Sequence, residues 1–359
     1  MKYQVIHVTG GVRNTMSGVQ SFIKNHIPNN DQEFEYLVGE SNGDSHFPFN
    51  QYLDEKEIKR IVFPALKISK LFAYARECRQ FYKNNKIDIL HVHNPITAFI
   101  HNYYALKNGV PVRIYHNHSS QFSDTWLKSI RNRFLVFLAL KNATHRISCG
   151  QLAGLKIFGK KSFQILPNAI DINKYRFSAT FREEIRKEFH IAEHQKVVGM
   201  IGILNPFKNQ SFLIEIAKEM PDITFFFVGE GPDRSILEEK SKKLKNIIFT
   251  GKREDVHKFY SAFDIFAFPS LYEGFPIVLV EAQCSGVNII MNETIDPTTQ
   301  IVDELCTAMP LDKDKWANYI EKAPFREKQR QLNEHLKRFD IEENVQNLKE
   351  IYKQGLKRE

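Results

Sequence analysis

The stretch FPSLYEGFPIVLVEAQCSG, Phe268 to Gly286, sets two glutamates, Glu273 and Glu281, in otherwise apolar surroundings. It continues an apolar run, DIFAFPS (264–270), crosses a Gly-Pro loop, and then takes helical spacing up to Gly286. After Gly286 a second apolar run begins, VNIIM (287–291). Pro276 suits a first helical position, because an N–H there would lack a partner in any case. The order strand, loop, helix, strand is a βαβ unit, which predicts parallel pairing. Glu273 falls in the loop, and Glu281 lies about one and a half turns into the helix. A buried carboxylate is costly unless it is paired. Either the protein satisfies both glutamates, or a polar ligand sits between them.

The same alternation extends in both directions. YQVIHV (3–8), FEYLV (34–38), IDILHV (87–92), VRIYH (112–116) and HRISC (145–149) read as strands, with helical spacing at 18–27, 67–85, 95–108 and 125–141. KVVGMIG (196–202), ITFFFVG (223–229) and NIIFTG (246–251) repeat the pattern, with helices near 209–220, 232–245, 254–262 and 276–285. Apolar runs without period-two alternation suit strands covered on both faces. The expected fold class is α/β, with two doubly wound Rossmann-like domains. The boundaries read as 1–168, 169–340 and a final helix, 341–359, whose return to the first domain is what the resemblance given below implies. That helix has Ile341, Val345, Leu348, Ile351 and Tyr352 on one face.

Composition narrows the function. The chain has 359 residues and a formal net charge of +8. Such a charge suits anionic partners, but no nucleic-acid module is present. Cys78, Cys149, Cys284 and Cys306 are scattered and form no CxxC, so free thiols in a reducing compartment and no structural zinc are expected. MKYQVIHVTGG is too short and too polar for a secretion signal, and no apolar run is long enough to span a membrane. The expected location is the cytoplasm, with a peripheral place at the inner face of the membrane.

In an open α/β sheet, ligands bind at the carboxyl ends of strands, beside helix N-termini that attract phosphate. Carboxylates accept hydrogen bonds from sugar hydroxyls. Glu273, Glu281 and the start of this helix therefore suit a nucleotide-sugar. In the first half, His93, His116 and His118 stand at strand ends. Two of them could be metal ligands at i, i+2, but no third lies at a familiar spacing. The helix 124–142 carries Trp126, Ile130, Phe134, Phe137 and Leu138 beside Lys128, Arg131 and Arg133. It reads as an ordinary core-facing helix, or as a face resting on an anionic membrane.

At this point the chain resembles glycosyltransferase family 4, a GT-B family, and within it the bacterial exopolysaccharide and capsule enzymes. Glu273-x7-Glu281 looks like the family's E-x7-E signature. HVTGGVRNTMSGVQSFI (7–23), ILHVHNP (89–95), VRIYHNHSS (112–120), ILPNAIDINKY (165–175), GILNPFKN (202–209), FVGEGPD (227–233) and FTGKREDV (249–256) are similar to further family loops, in the family's order. The resemblance implies two domains facing a deep cleft. It implies a retaining transfer that needs no metal and no cofactor beyond the nucleotide-sugar, a UDP-sugar or a similar one. The acceptor would be a saccharide or a polyprenyl-diphosphate-linked sugar.

The implied catalytic residues are Glu273, Lys208 and His118, with His116 the rival of His118 for the donor sugar. The implied donor-binding residues are Glu281, Gly274, Phe275, Pro276, Ile277, Gly18, Gly202, Asn209, Gly229, Gly231, Lys252 and Arg253. His93, Asn94, Asn117 and Ser119 would line the acceptor side. Where the family usually has an arginine this chain has Ile203, so either another cation, Lys252 or Arg253, takes over or activity is reduced. Two other readings remain. One is a UDP-sugar 2-epimerase of the same architecture. The other is a non-catalytic donor-binding partner of another glycosyltransferase.

Overall fold

The computed structural model describes residues 2–11, 18–28, 31–41, 46–119, 122, 126–273, 275–326 and 333–357. They fall into two compact units, Met1–Ala169 with Ile341–Glu359, and Ile170–Asp340. The first unit contains β1 (Tyr3–Val8), β2 (Phe34–Glu40), β3 (Lys59–Val62), β4 (Ile89–Val92), β5 (Val112–Asn117), β6 (His145–Ser148) and β7 (Gln164–Ile165). They form one sheet in the order β3-β2-β1-β4-β5-β6-β7, and every neighbouring pair is parallel. The order reverses between β1 and β4, the switch point of a doubly wound sheet.

Apolar layers cover both faces. Ile6, Val8, Leu90, Val92 and Tyr115 join one core. Val5, Val38, Ile89, Ile114 and Ile147 join the other. This explains the continuous apolar runs, since neither face has to be polar. The helix Ile341–Lys357 completes the second layer with Leu348, Ile351 and Tyr352. It also lies close to the sheet at Gly355, where a Cβ would come within 2.8 Å of Val112. Lys349 pairs with Asp31 at 2.8 Å, fixing the helix against the start of β2.

The second unit repeats the topology. It contains β8 (Val197–Ile201), β9 (Thr224–Val228), β10 (Ile247–Gly251), β11 (Ile265–Phe268), β12 (Asn288–Asn292) and β13 (Cys306–Met309). The order is β10-β9-β8-β11-β12-β13, again parallel throughout. Phenylalanines join aliphatic side chains in its cores, with Phe225 and Phe227 on one face and Phe226, Phe266 and Phe268 on the other.

Three strands depart from the sequence reading. β3, β7 and β13 border the sheets and pair on one side only, so they need no long apolar run. The helices Pro48–Glu55, Gln151–Phe158 and Lys313–Lys322 also escaped the spacing analysis. Pro276 is the cap residue, and its helix begins at Ile277.

The helix Trp126–Asn142 departs most from a core-facing arrangement. It buries Asn132, Val136, Ala139 and Leu140. Trp126, Leu127, Ile130, Phe134 and Phe137 face outward, with Trp126 73% exposed and Phe134 61% exposed.

Candidate active site

The loops at the carboxyl ends of β8, β9 and β11 build a polar site in the second unit. Lys208, after β8, and Glu273, after β11, form an ion pair, with Nζ 2.7 Å from Oε1 and both side chains mostly shielded. The Lys208 ammonium also lies over the ring of Phe268, 5.0 Å from its centroid. The two loops are joined again where Leu271 N–H donates to the Phe207 carbonyl at 2.9 Å, and Phe207 and Tyr272 bring their rings to 5.0 Å. Residues far apart in sequence are thus fixed beside one another by the β8–β11 pairing.

Two glycines allow this close stacking. Gly229 has φ +139°, and a Cβ there would lie 2.1 Å from the Gly202 carbonyl oxygen. At Gly231 a Cβ would meet the Leu204 carbonyl at 2.2 Å. Leu204 N–H donates to the Glu230 carbonyl at 3.0 Å, so the β8 and β9 loops are bonded edge to edge. Asn209 adopts the left-handed conformation at the cap of helix Gln210–Ala217.

The helix Ile277–Ser285 starts without a side-chain cap and without an acidic residue in its first turn. Its first N–H groups have no partner within the helix, and they carry partial positive charge. Phe275, buried before it, stacks on Phe339 with centroids 5.5 Å apart. Gly274 lies outside the described residues.

Glu281 is buried. Its Oε2 accepts from the Tyr260 hydroxyl at 2.6 Å, and Tyr175 faces the same carboxylate. Burial pushes its pKa above the usual carboxylate range, while the two tyrosines and the charge of Lys174 oppose that shift. The protein therefore meets part of this carboxylate's demand itself. Two hydroxyls leave acceptor capacity unused, since a carboxylate has about four lone-pair sites. Neither tyrosine was picked out from sequence, where Tyr175 falls in the segment ILPNAIDINKY and Tyr260 in the helix near 254–262.

The structure corrects one of the two replacements offered for the missing arginine, Arg253. Arg253 is held by Glu188 and Asp255, each through two hydrogen bonds. A guanidinium neutralised by two carboxylates has little charge left for a diphosphate. Lys252 is exposed, and Ile203 is 53% exposed at the tip of the β8 loop. Gly18 begins the helix Gly18–His26, and a Cβ there would meet nothing within 4 Å, so packing does not demand glycine at that position.

In the first unit the histidines converge. His7 Nδ1 bonds His93 Nε2 at 3.0 Å, and His93 Nδ1 bonds His118 Nε2 at 2.9 Å. His91 Nε2 bonds His116 Nδ1 at 3.1 Å. The Tyr352 hydroxyl joins the two branches, 2.7 Å from His91 Nδ1 and 3.3 Å from His7 Nε2. Burial, reinforced by repulsion between neighbouring imidazoles, lowers all five pKa values, those of His7 and His118 to about 3.

This placement corrects the donor-sugar reading of His116, which has no exposed surface. The ring of His118 is half-buried, with Nε2 taken by His93 and Nδ1 enclosed, so it turns no free nitrogen outward. His93 and Asn117 are likewise buried, and Asn117 Nδ2 donates to the carbonyls of Ser119 and Ala153. Asn94 caps the helix Pro95–Lys107, accepting from Ile96 N–H. These residues shape the strand ends. Ser119 is the one of the four that is exposed.

Comparison with known proteins fits this architecture. Residues 181–352 match the family described as glycosyl transferases group 1, and residues 31–174 match glycosyltransferase family 4. The chain is 30% identical over 312 residues to EpsF of Bacillus subtilis (strain 168), assigned as a glycosyltransferase, covering 80% of this chain and 81% of that protein. It is 26% identical over 288 residues to the Escherichia coli UDP-Gal:alpha-D-GlcNAc-diphosphoundecaprenol alpha-1,3-galactosyltransferase, covering 74% of this chain and 73% of the relative. It is 26% identical over 346 residues to the capsular polysaccharide biosynthesis glycosyltransferase CapH of Staphylococcus aureus, covering 89% and 91%. Among solved structures, Anabaena HepE in complex with UDP superposes with a TM-score of 0.80 at 20% identity, covering 99% of this chain and 100% of that one. That likeness identifies the fold as GT-B.

Proposed function

The chain belongs to the glycosyltransferases of group 1 and family 4, and from that premise we propose a donor, an acceptor and a place of action. The donor is a UDP-sugar and the acceptor a saccharide carried on a polyprenyl diphosphate. The transfer retains anomeric configuration and serves surface-polysaccharide assembly at the cytoplasmic face of the membrane.

The Lys208–Glu273 pair carries this reading. Breaking the bond between sugar and diphosphate leaves negative charge on the departing oxygen. A cation and oriented N–H groups lower that barrier if they already stand in place. Lys208 supplies the cation, and the uncapped start of helix Ile277–Ser285 supplies the N–H groups. Lys208 thereby provides at the diphosphate the positive charge that a metal ion would otherwise supply. Glu281 takes the ribose hydroxyls with its remaining acceptor capacity, and Glu273 turns from Lys208 toward the donor.

The acceptor reading rests on two observations. The E. coli relative acts on a diphosphoundecaprenol-linked sugar. The helix Trp126–Asn142 also exposes a stripe of Trp126, Ile130, Phe134 and Phe137, with exposed Arg131 and Arg133 beside it. No described helix is long and apolar enough to cross a membrane. A stripe flanked by arginines instead suits the interface of an anionic bilayer.

The test incubates the purified chain with UDP-sugars, with and without lipid-linked acceptor, in vesicles with and without phosphatidylglycerol. Transfer with slow background hydrolysis is expected, with sedimentation on anionic vesicles that Trp126→Ser with Phe134→Ser abolishes. Conversion of free donor to an isomer would identify an epimerase. Donor binding with neither product would identify a partner subunit.

A further inference from the structure

Sequence spacing offered His116 and His118 as a pair without a third ligand; the sheet supplies one. β4 and β5 run side by side with His91 opposite Ile114 and Val92 opposite Tyr115. The next residue, His93, therefore reaches the level of His116. His93, His116 and His118 each offer one ring nitrogen within 4.8 Å of the others. We propose that these three imidazoles bind one divalent ion of the late first-row transition series, zinc being the commonest at such a donor set. This site goes beyond the glycosyl-transfer reading, lies outside the loops that carry it, and does not depend on it.

The hydrogen bonding favours an occupant. His116 Nε2 is buried without a partner, while His118 Nδ1 and the Asn168 Oδ1 face one another. Native interiors leave few buried nitrogens unpartnered, and one beside two further imidazoles marks a missing ion or water. Asn168 faces His118, so an amide oxygen, which can only accept, stands near His118 Nδ1. His118 then carries its proton on Nδ1 and a lone pair on Nε2.

The other end of the file gives the same answer. With a proton on His116 Nδ1 donated to His91, His116 Nε2 is a bare lone pair. In those tautomers His116 and His118 both present a lone pair on Nε2. His93 has only to carry its proton on Nε2, facing His7, to present Nδ1 to the ion. Each ligand keeps a partner on its far nitrogen, His91, His7 or Asn168, the outer-shell bond that orients metal-binding histidines.

Three imidazoles without thiolate or carboxylate suit zinc, copper, nickel or cobalt and not magnesium or calcium. A doubly charged ion among neutral ligands needs a fourth partner. The half-buried side of His118 is where a water or small anion can reach it.

A tag-free, chelator-stripped full chain is titrated with Co2+ and Zn2+ in the absence of donor. One equivalent of Co2+ with the intense visible bands of a tetrahedral site is expected. Zn2+ should displace it and raise the melting temperature of the protein. X-ray absorption of the zinc form should show nitrogen ligands at about 2.0–2.1 Å. His118→Ala, at a half-buried position, should weaken Zn2+ binding by about 100-fold or more, and His116→Ala likewise, while His257→Ala in the second unit leaves it unchanged. Should His116→Ala fail to fold, the cobalt spectrum of the unaltered chain and the His118 variant still decide. Absence of a one-equivalent site, or one that survives His118→Ala in folded protein, overturns the proposal. Because no donor is present, that result leaves the transferase reading untouched, and loss of transfer activity says nothing against the metal site.

Discussion

The two units share one strand order but fill the carboxyl ends of their strands differently. In the first, imidazoles from β1, β4 and β5 meet in a buried, mutually bonded file. In the second, apolar cores flank the strands, and Lys208 and Glu273 meet as an ion pair in loops that Gly229 and Gly231 allow to pack closely. The difference shows that a doubly wound sheet fixes where polar groups converge, but not whether they point into the domain or out of it. Among the described residues every buried histidine belongs to the first unit.

Acid should separate the units most strongly. His7, His26, His101 and His118 have folded pKa values of about 3 to 4, below the ordinary 6.5. On acidification the unfolded chain takes up these protons first. Their stabilising effect is therefore complete above pH 6.5 and is lost as pH falls from there toward 4. Each such histidine changes stability by about 1.4 kcal/mol per pH unit in that window. With chelator present, circular dichroism and hydrogen exchange should show the first unit opening near pH 5 while the second stays protected. Simultaneous opening of both units would remove the contrast.

Lys208→Ala tests the other side. Loss of a preorganised cation at the leaving group should lower turnover about 100- to 1,000-fold. The melting temperature should barely change, because a mostly shielded pair near the surface contributes little to stability. A large loss of stability with turnover intact would make the pair structural. Glu281→Gln should have the smallest effect. It keeps an acceptor for Tyr260 and removes a charge that burial disfavours, so the fold should hold while UDP affinity falls by about 1–3 kcal/mol in calorimetry. Unchanged affinity would make Glu281 a residue that serves only its tyrosines.

The two units were also unequally legible. The central strands stood out because double-sided burial demands unbroken apolar runs, as in TFFFV of β9. β3 and β7, with KRIV and QI, gave no such signal, since a border strand needs only backbone pairing. Lys208 and Glu273 were both picked out, and the fold brings them within 2.7 Å of each other. Their contact could not be read from spacing, because it depends on the register of β8 against β11. The histidines misled for a related reason. A strand end exposes a side chain or encloses it according to the helix packed above, and here Tyr352, read only as part of an apolar stripe, lies over them with a hydroxyl. Arg253 misled in part because one of its two acidic partners, Glu188, stands 65 residues away.

The ion pair has a consequence for how a donor arrives. Lys208 does not wait in water; it already holds a counter-ion that is tethered to the chain and can never diffuse away. Binding an anionic donor is then an exchange, with one anion displacing another. Little net charge is neutralised, so donor affinity should depend only weakly on ionic strength. An uncharged sugar has nothing with which to displace Glu273, and the free hexose is turned away before any contact with its ring is made. The released carboxylate is at once the measure of the exchange and a polar group newly available beside the sugar.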